Sequence, residues 1–155
     1  MPKCTMLVGV PASGKSTWHR NKYGDYTAPV VSTDKIIVEV ASSYGMTYDE
    51  GFKGLIQFAE IIMWRQITSY LMRGSDFIID RTNLTAKSRA KFIQKLKLHR
   101  YEIECLVFPQ PEPEEWKRRL GSRPGKTIPQ EALDRMVDSY EIPLESEGFS
   151  KITFI

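Results

Sequence analysis

The chain has 155 residues, 41% hydrophobic and 26% charged, which suits one domain spanning 1–155 with a sizeable core and excludes a disordered or fibrous protein. Its net charge of +3 fits an anionic ligand but does not by itself indicate nucleic acid. No apolar run approaches a membrane span, no signal peptide is read at the start, and Cys4 and Cys105 lie far apart inside apolar runs, so buried thiols and a cytoplasmic location are expected.

Lys3 to Val8 is short, apolar and rich in strand formers, and predicts a first strand. It runs into Gly9-Val-Pro-Ala-Ser-Gly-Lys-Ser-Thr17, which fits the phosphate-binding P-loop pattern for a loop joining a strand to a helix. Gly9 and Gly14 leave room for oxygens to approach the main chain. Successive N–H groups of Ala12, Ser13, Gly14, Lys15, Ser16 and Thr17 would form an anion nest at a helix N-terminus. Lys15 is expected to reach the β- and γ-phosphates of ATP, and the Ser16 hydroxyl to ligate Mg²⁺.

The first helix runs from Ser16 to about Lys22, and a loop from Tyr23 to Pro29. A short strand, Val30 to Ser32, ends at Thr33-Asp34, and a helix follows from Asp34 to Ser43 with Gly45 as its stop. Thr47 and Glu50 have capping-box spacing for a long helix to about Arg73, ended by Gly74. Its apolar positions, from Phe52 through Ala59 and Met63 to Leu71, keep a helical period. Asp76 to Asp80 is a strand around Phe77-Ile78-Ile79. Thr85 caps a helix with Ala86, Ala90, Ile93 and Leu96 on one side and Lys87, Lys91 and Lys95 on the other. Those lysines read as a solvated face, because a nucleic-acid groove needs aromatic side chains or a second basic element beside them. Trp64 and Met63 read as helix packing.

Ile103 to Phe108 is a further strand. Pro113, with Glu114 and Glu115, opens a helix to about Leu120. Arg119 to Lys126 is a basic loop with Gly and Pro, Pro129 starts a helix to about Tyr140, and Ile152 to Ile155 is a last short strand. Short apolar strands alternating with helices predict an α/β fold: a P-loop NTPase-like parallel sheet of about five strands, covered by helices on both faces, with a small lid. Ligands of such sheets sit at the carboxyl ends of the strands.

Three strand ends then meet on one edge: the P-loop, Thr33-Asp34, and Asp80-Arg81-Thr82-Asn83. Asp34 is the candidate general base for phosphoryl transfer to an alcohol; capping the next helix is its other reading. Asp80 follows an apolar strand as a Walker-B acid does and could hold a Mg²⁺-bound water, cap a turn, or pair with Arg81. Thr33, Arg81 and Thr82 fall on the acceptor side, where Thr82 and Asn83 suit either substrate orientation or a turn. Arg119 and Arg123, four apart, would share a helix face and close over ATP. A solvated basic face explains Lys117 and Arg118 well enough.

At this point the chain resembles the kinase domain of phage-type polynucleotide 5′-hydroxyl kinases. The likeness runs from Lys3 to about Tyr140 over Ser16-Thr17-Trp18, Asp34, Ile78-Ile79 with Thr82-Asn83-Leu84, and Val107-Phe108. It continues through Lys117-Arg-Arg-Leu-Gly-Ser-Arg123, Lys126-Thr-Ile-Pro129 and Leu133-Asp-Arg-Met136. The resemblance implies ATP-dependent transfer to a hydroxyl group, most simply a polynucleotide 5′ end. Lys15 and Ser16 would hold phosphate and Mg²⁺, Asp34 would be the base, and Arg119 and Arg123 would be lid residues. Two positions depart from the family. Ile37 stands where the family has an acceptor-side arginine, and Arg81 stands where it has an aspartate before Thr-Asn. Arg81 is therefore a candidate to take over acceptor contacts. A kinase for a small molecule, nucleoside or modified base is the competing reading, and a nucleotide-dependent binding module with little turnover is a third. No Asp-x-Asp nucleophile motif appears, so no 3′-phosphatase activity is expected.

Overall fold

The first strand, β1 (Lys3–Val8), is buried from Cys4 to Val8, and its alternate side chains enter two apolar layers. Cys4, Met6 and Val8 join one core cluster, whereas Leu7 joins another. Successive side chains of a strand point to opposite faces, so both faces of the sheet are covered. The structure, a computed structural model, describes residues 1–23 and 28–155. The part of the expected 23–29 loop at 24–27 lies outside the described residues.

The order after β1 is α1 (Lys15–Tyr23), β2 (Val30–Val31), α2 (Thr33–Ser43), α3 (Tyr48–Arg73), β3 (Phe77–Asp80) and α4 (Ala86–Leu98). Then come β4 (Glu102–Val107), α5 (Pro113–Gly121), α6 (Gln130–Ser139), a short 3₁₀ turn at Glu145–Glu147, and β5 (Lys151–Phe154). The sheet is all parallel in the order β2-β3-β1-β4-β5. The larger layer joins β1, β3 and β4 to α2, α3 and α4 through Ile37, Met63, Ile67, Phe92 and Leu96. The smaller joins Leu7, Ile78, Leu106 and Phe108 to Trp18 of α1. A third cluster, built on Val10, Leu84, Trp116 and Leu133, ties α5 and α6 to the P-loop.

Local chemistry explains the boundaries. α3 starts in the expected capping box of Thr47 and Glu50 and ends at Gly74, whose φ of 63° is closed to most side chains. α2 starts one residue earlier than expected, because Ser32 and not Asp34 is its cap: the Ser32 hydroxyl accepts from the Lys35 N–H at 3.2 Å. Asp34 is thereby released from the capping role.

One buried cation braces the loop after β3. Arg89 of α4 has no exposed surface. It donates to both carboxylate oxygens of Glu147, at 2.8 and 3.1 Å, and to the carbonyl of Asn83 at 2.9 Å. Removing one member of such a pair leaves a buried charge uncompensated. Arg89→Ala is therefore expected to lower unfolding stability by about 3 kcal/mol or more, read as a shifted urea midpoint at unchanged slope.

Candidate functional site

The P-loop leaves β1 at Gly9, and its geometry follows from two glycines. A Cβ at Gly9 would lie 2.7 Å from Ser13 Oγ and 3.0 Å from the Cβ of Phe108, so no larger residue fits there. Gly14 has φ of +102°, open to glycine and strained for any other residue. Ala12 also holds positive φ, at 60°, a cost that persists only where surrounding contacts enforce it. Those contacts are present: the Trp116 indole N–H donates to the Pro11 carbonyl at 2.8 Å, and Arg119 donates to the Ala12 carbonyl at 3.3 Å.

Lys15, buried at 9% exposure, folds back into the loop and donates to the carbonyls of Gly9 and Val10 at 2.8 and 2.9 Å. Burial pulls its pKa down to about 8, against the opposing pull of Asp80 and Asp34. Ser13 Oγ and Arg123 Nη1 are buried with no hydrogen-bond partner among the described residues. Unpaired buried donors are costly. Here they flank a cationic loop whose N–H groups begin α1, so an anion such as a polyphosphate fits their chemistry. Ser16 and Thr17, at the start of α1, are exposed and able to face such a ligand.

The second strand end presents Asp34 in the first turn of α2. The Tyr48 hydroxyl donates to its Oδ1 at 2.9 Å, and Lys126 donates to its Oδ2 at 2.7 Å. The Lys126 ammonium also lies 4.3 Å from the Tyr48 ring centroid. Burial pushes the Asp34 pKa up, but Lys126, Tyr48 and Arg123 together hold it below the ordinary carboxylate value. Lys126 arrives on a loop strapped to the start of α3. The Asp49 N–H donates to the Gly125 carbonyl at 2.9 Å, and the Asp49 carboxylate accepts from the Thr127 N–H at 2.8 and 2.9 Å.

The third strand end presents Asp80, whose pKa is raised by burial while Lys15 draws it back down. Thr82 accepts from the Gly9 N–H at 3.0 Å, and the Asn83 amide donates to the Leu7 carbonyl at 2.8 Å. Both therefore lock this loop to the P-loop. Thr33 is buried beside Asp34 at 5% exposure. Among the described residues no three His, Cys, Asp or Glu side chains cluster as a metal site. Ser16 and Asp80 are what the chain offers a Mg²⁺ ion, which suits a metal that keeps water and phosphate oxygens as its other ligands.

Two expectations are corrected. Arg119 and Arg123 do not share a helix face: α5 ends at Gly121, and Arg123 lies in the following turn, where its carbonyl accepts from Lys126 N–H at 3.3 Å. Arg119 is engaged by Glu115 at 2.7 Å, while Arg123 exerts its charge on Lys15, Asp34 and Tyr48. Arg81 turns away from Asp80 to pair with Glu60 of α3 at 2.9 Å. Ile37 is wholly buried in the core. The contacts of Tyr48 and Lys126 with Asp34 were not foreseen, because they form across the loop that returns from α5 and no local spacing signals them.

The fold and this loop define a P-loop kinase-like domain. A family model described as an AAA domain matches residues 5–143, and the chain belongs to that family. Solved structures repeat the fold. A protein designated a kinase from Chloroflexus aurantiacus is 16% identical, with a TM-score of 0.75, the match covering 99% of this chain and 87% of that one. Kti12 of Chaetomium thermophilum, in complex with ADP-AlF3, is 17% identical with a TM-score of 0.64, covering 98% and 88%. A gluconokinase from Sinorhizobium meliloti is 17% identical with a TM-score of 0.55, covering 99% and 82%. No helix among the described residues is long and apolar enough to cross a membrane.

The Lys126–Asp34 pair has a pH signature. Asp34 is depressed in the folded state, so the pair's contribution is complete above the unfolded value of about 4 and is lost as pH falls through the folded value. With Asp34 53% exposed, the contribution is at most about 1 kcal/mol. Lys126→Met should therefore be slightly less stable than the parent at pH 7 and indistinguishable from it in strong acid. Urea unfolding across pH 2 to 7 measures the difference, which should close on the acid side.

Proposed function

We propose that residues 1–155 act as a single kinase domain that transfers the γ-phosphate of ATP to a hydroxyl group, with a polynucleotide 5′-hydroxyl as the first candidate acceptor. The observation that carries this reading is the juxtaposition of a carboxylate kept ionised, Asp34, with a P-loop whose Lys15 and neighbouring Arg123 share its electrostatic field. A phosphate-binding module alone has no need of the carboxylate.

In this reading the P-loop N–H groups and Lys15 hold the β- and γ-phosphates, and the unpaired Ser13 hydroxyl and Arg123 guanidinium find their partners on the same anion. Arg119 holds the lid against the P-loop carbonyl of Ala12. The acceptor oxygen attacks the γ-phosphorus in line, Asp34 takes the hydroxyl proton, and the bond to the β,γ-bridging oxygen breaks to release ADP. Tyr48 keeps the carboxylate oriented through Oδ1, so the oxygen now held by Lys126 is the one to receive the proton. Mg²⁺, held by Ser16 and by Asp80 through water, would offset phosphate charge. Thr33 and Thr82 border the acceptor.

A second reading, a kinase for a small hydroxylated molecule, nucleoside or modified base, is favoured by one finding: Ile37 is buried and Arg81 is paired with Glu60, so neither offers the acceptor a free guanidinium. The test is labelled ATP with Mg²⁺ against 5′-hydroxyl oligonucleotides, nucleosides and sugars. Label in oligonucleotide supports the first reading, and label only in a small molecule supports the second. Asp34→Asn should lower the transfer rate about 100-fold or more with nucleotide affinity little changed. Full transfer by that variant would remove Asp34 as the base.

A further inference from the structure

Lys126 pairs with the carboxylate that the kinase reading assigns as base. Its ammonium donates to Asp34 Oδ2 at 2.7 Å and lies 4.3 Å from the Tyr48 ring centroid. The Lys126 side chain is 13% exposed, against 53% for that of Asp34, so the cation is the more deeply buried member of the pair. A carboxylate held by an ammonium is a weak base. The contact therefore works against the proton transfer that Asp34 is proposed to perform, and it must open before Oδ2 can accept a proton.

The backbone around Lys126 is tied at successive positions. The Gly125 carbonyl accepts from the Asp49 N–H at 2.9 Å, the Lys126 N–H donates to the Arg123 carbonyl at 3.3 Å, and the Thr127 N–H donates to the Asp49 carboxylate at 2.8 and 2.9 Å. Gly125 holds φ of +71°, and a Cβ there would lie 2.8 Å from that of Thr47, so the loop sits directly on the cap of α3. With the backbone fastened, the flexible stem of Lys126 is what remains to move. A destination lies within its electrostatic reach. The charge of Lys126 bears on Lys15 and Asp80 as well as on Asp34. Arg123, earlier in the same loop, keeps Nη1 buried with no hydrogen-bond partner among the described residues. Lys15, Arg123 and Lys126 thus share one neighbourhood with Asp34, Asp80 and Tyr48. A polyphosphate entering it brings more negative charge than one carboxylate, and the ammonium has further N–H groups beyond the one given to Asp34.

We propose that Lys126 is a further catalytic residue that exchanges partners: it holds Asp34 before ATP enters, then passes to the γ-phosphate and frees Asp34 Oδ2 for the acceptor hydroxyl. This inference rests on the phosphoryl-transfer reading above, but not on which hydroxyl is the acceptor. The exchange makes and breaks no covalent bond. After it, the Tyr48 hydroxyl still orients Oδ1, and the carboxylate regains the basicity that the ammonium withheld. On the phosphate, the ammonium offsets charge on the group being transferred.

The test is calorimetric titration of Mg·ADP and of a non-hydrolysable Mg·ATP analogue into the full chain, Lys126→Gln and Lys126→Arg, with melting curves to show that each variant is folded. Lys126→Gln should bind the analogue at least about fivefold more weakly, because a charged contact to phosphate outweighs the exposed ion pair given up for it. Its affinity for Mg·ADP, which lacks the γ-phosphate, should be unchanged. Lys126→Arg keeps the charge and should bind the analogue more tightly than Lys126→Gln. Carboxyl ¹³C titration, with Asp34→Asn to identify the resonance, follows the base itself. The analogue should raise the Asp34 pKa further in the parent than in Lys126→Gln, since only the parent has an ammonium to lose. Equal losses for Mg·ADP and the analogue, no loss for either, equal weakness of the two variants, or the same Asp34 response in parent and Lys126→Gln would overturn the exchange. Any of these, with the analogue still bound by the parent, leaves the kinase reading intact. A parent that binds neither nucleotide overturns both.

Discussion

The ammonium of Lys15, turned inward onto the carbonyls of Gly9 and Val10, is the contact around which the rest of the molecule is arranged. A buried cation whose hydrogen bonds go to neutral carbonyls is poorly compensated, and burial lowers its pKa despite the opposing pull of Asp80 and Asp34. Everything that keeps it there is structural. β1 delivers Gly9 to the edge of the sheet, the bare Cα of Gly9 admits Ser13, and α1 starts its dipole at the same point. The indole of Trp116 and the guanidinium of Arg119 then fasten α5 to the carbonyls of Pro11 and Ala12. The loop therefore holds a cation, spare N–H groups and unpaired donors in one cradle, an arrangement completed by a polyphosphate.

The two sides of the site are built differently. The P-loop and the loop after β3 are held together, since Gly9 is bonded to Thr82 and Asn83 to Leu7, while Arg89 and Glu147 brace the latter loop from behind. The surroundings of Asp34 depend on a strap. Lys126 reaches Asp34 only because Gly125 and Thr127 are tied to Asp49. Both oxygens of Asp34 are engaged, one by Tyr48 of α3 and one by Lys126 on the strap. In the kinase reading proposed above, the fold sets phosphate binding and the Lys126 loop borders the acceptor.

Much of this was legible in the residues. The strands, the capping box at Thr47, the stop at Gly74 and the P-loop follow from local chemistry that acts within a few positions. The cap before α2 stays open in the sequence because Ser32 and Asp34 are both competent caps, and only the folded backbone shows that Ser32 accepts. Arg119 and Arg123 were placed on one helix because their spacing allows it, but α5 ends between them at Gly121. The roles of Tyr48, Lys126 and Trp116 could not be read at all. Each acts on a partner far away in the chain, and the chain carries no signal of which polar groups tertiary folding will bring together. The same limit hid the stacking of Trp64 on Phe92, over whose rings Lys95 and Lys91 lie.

The account stands or falls on the cradle formed around Lys15. Calorimetric titration of a non-hydrolysable Mg·ATP analogue into the parent chain and into Lys15→Met measures it directly. The account predicts one site on the parent and an affinity at least about tenfold lower in the variant, because charge-assisted contacts to phosphate are lost. Equal affinity of the two proteins, or no binding to either, would contradict it.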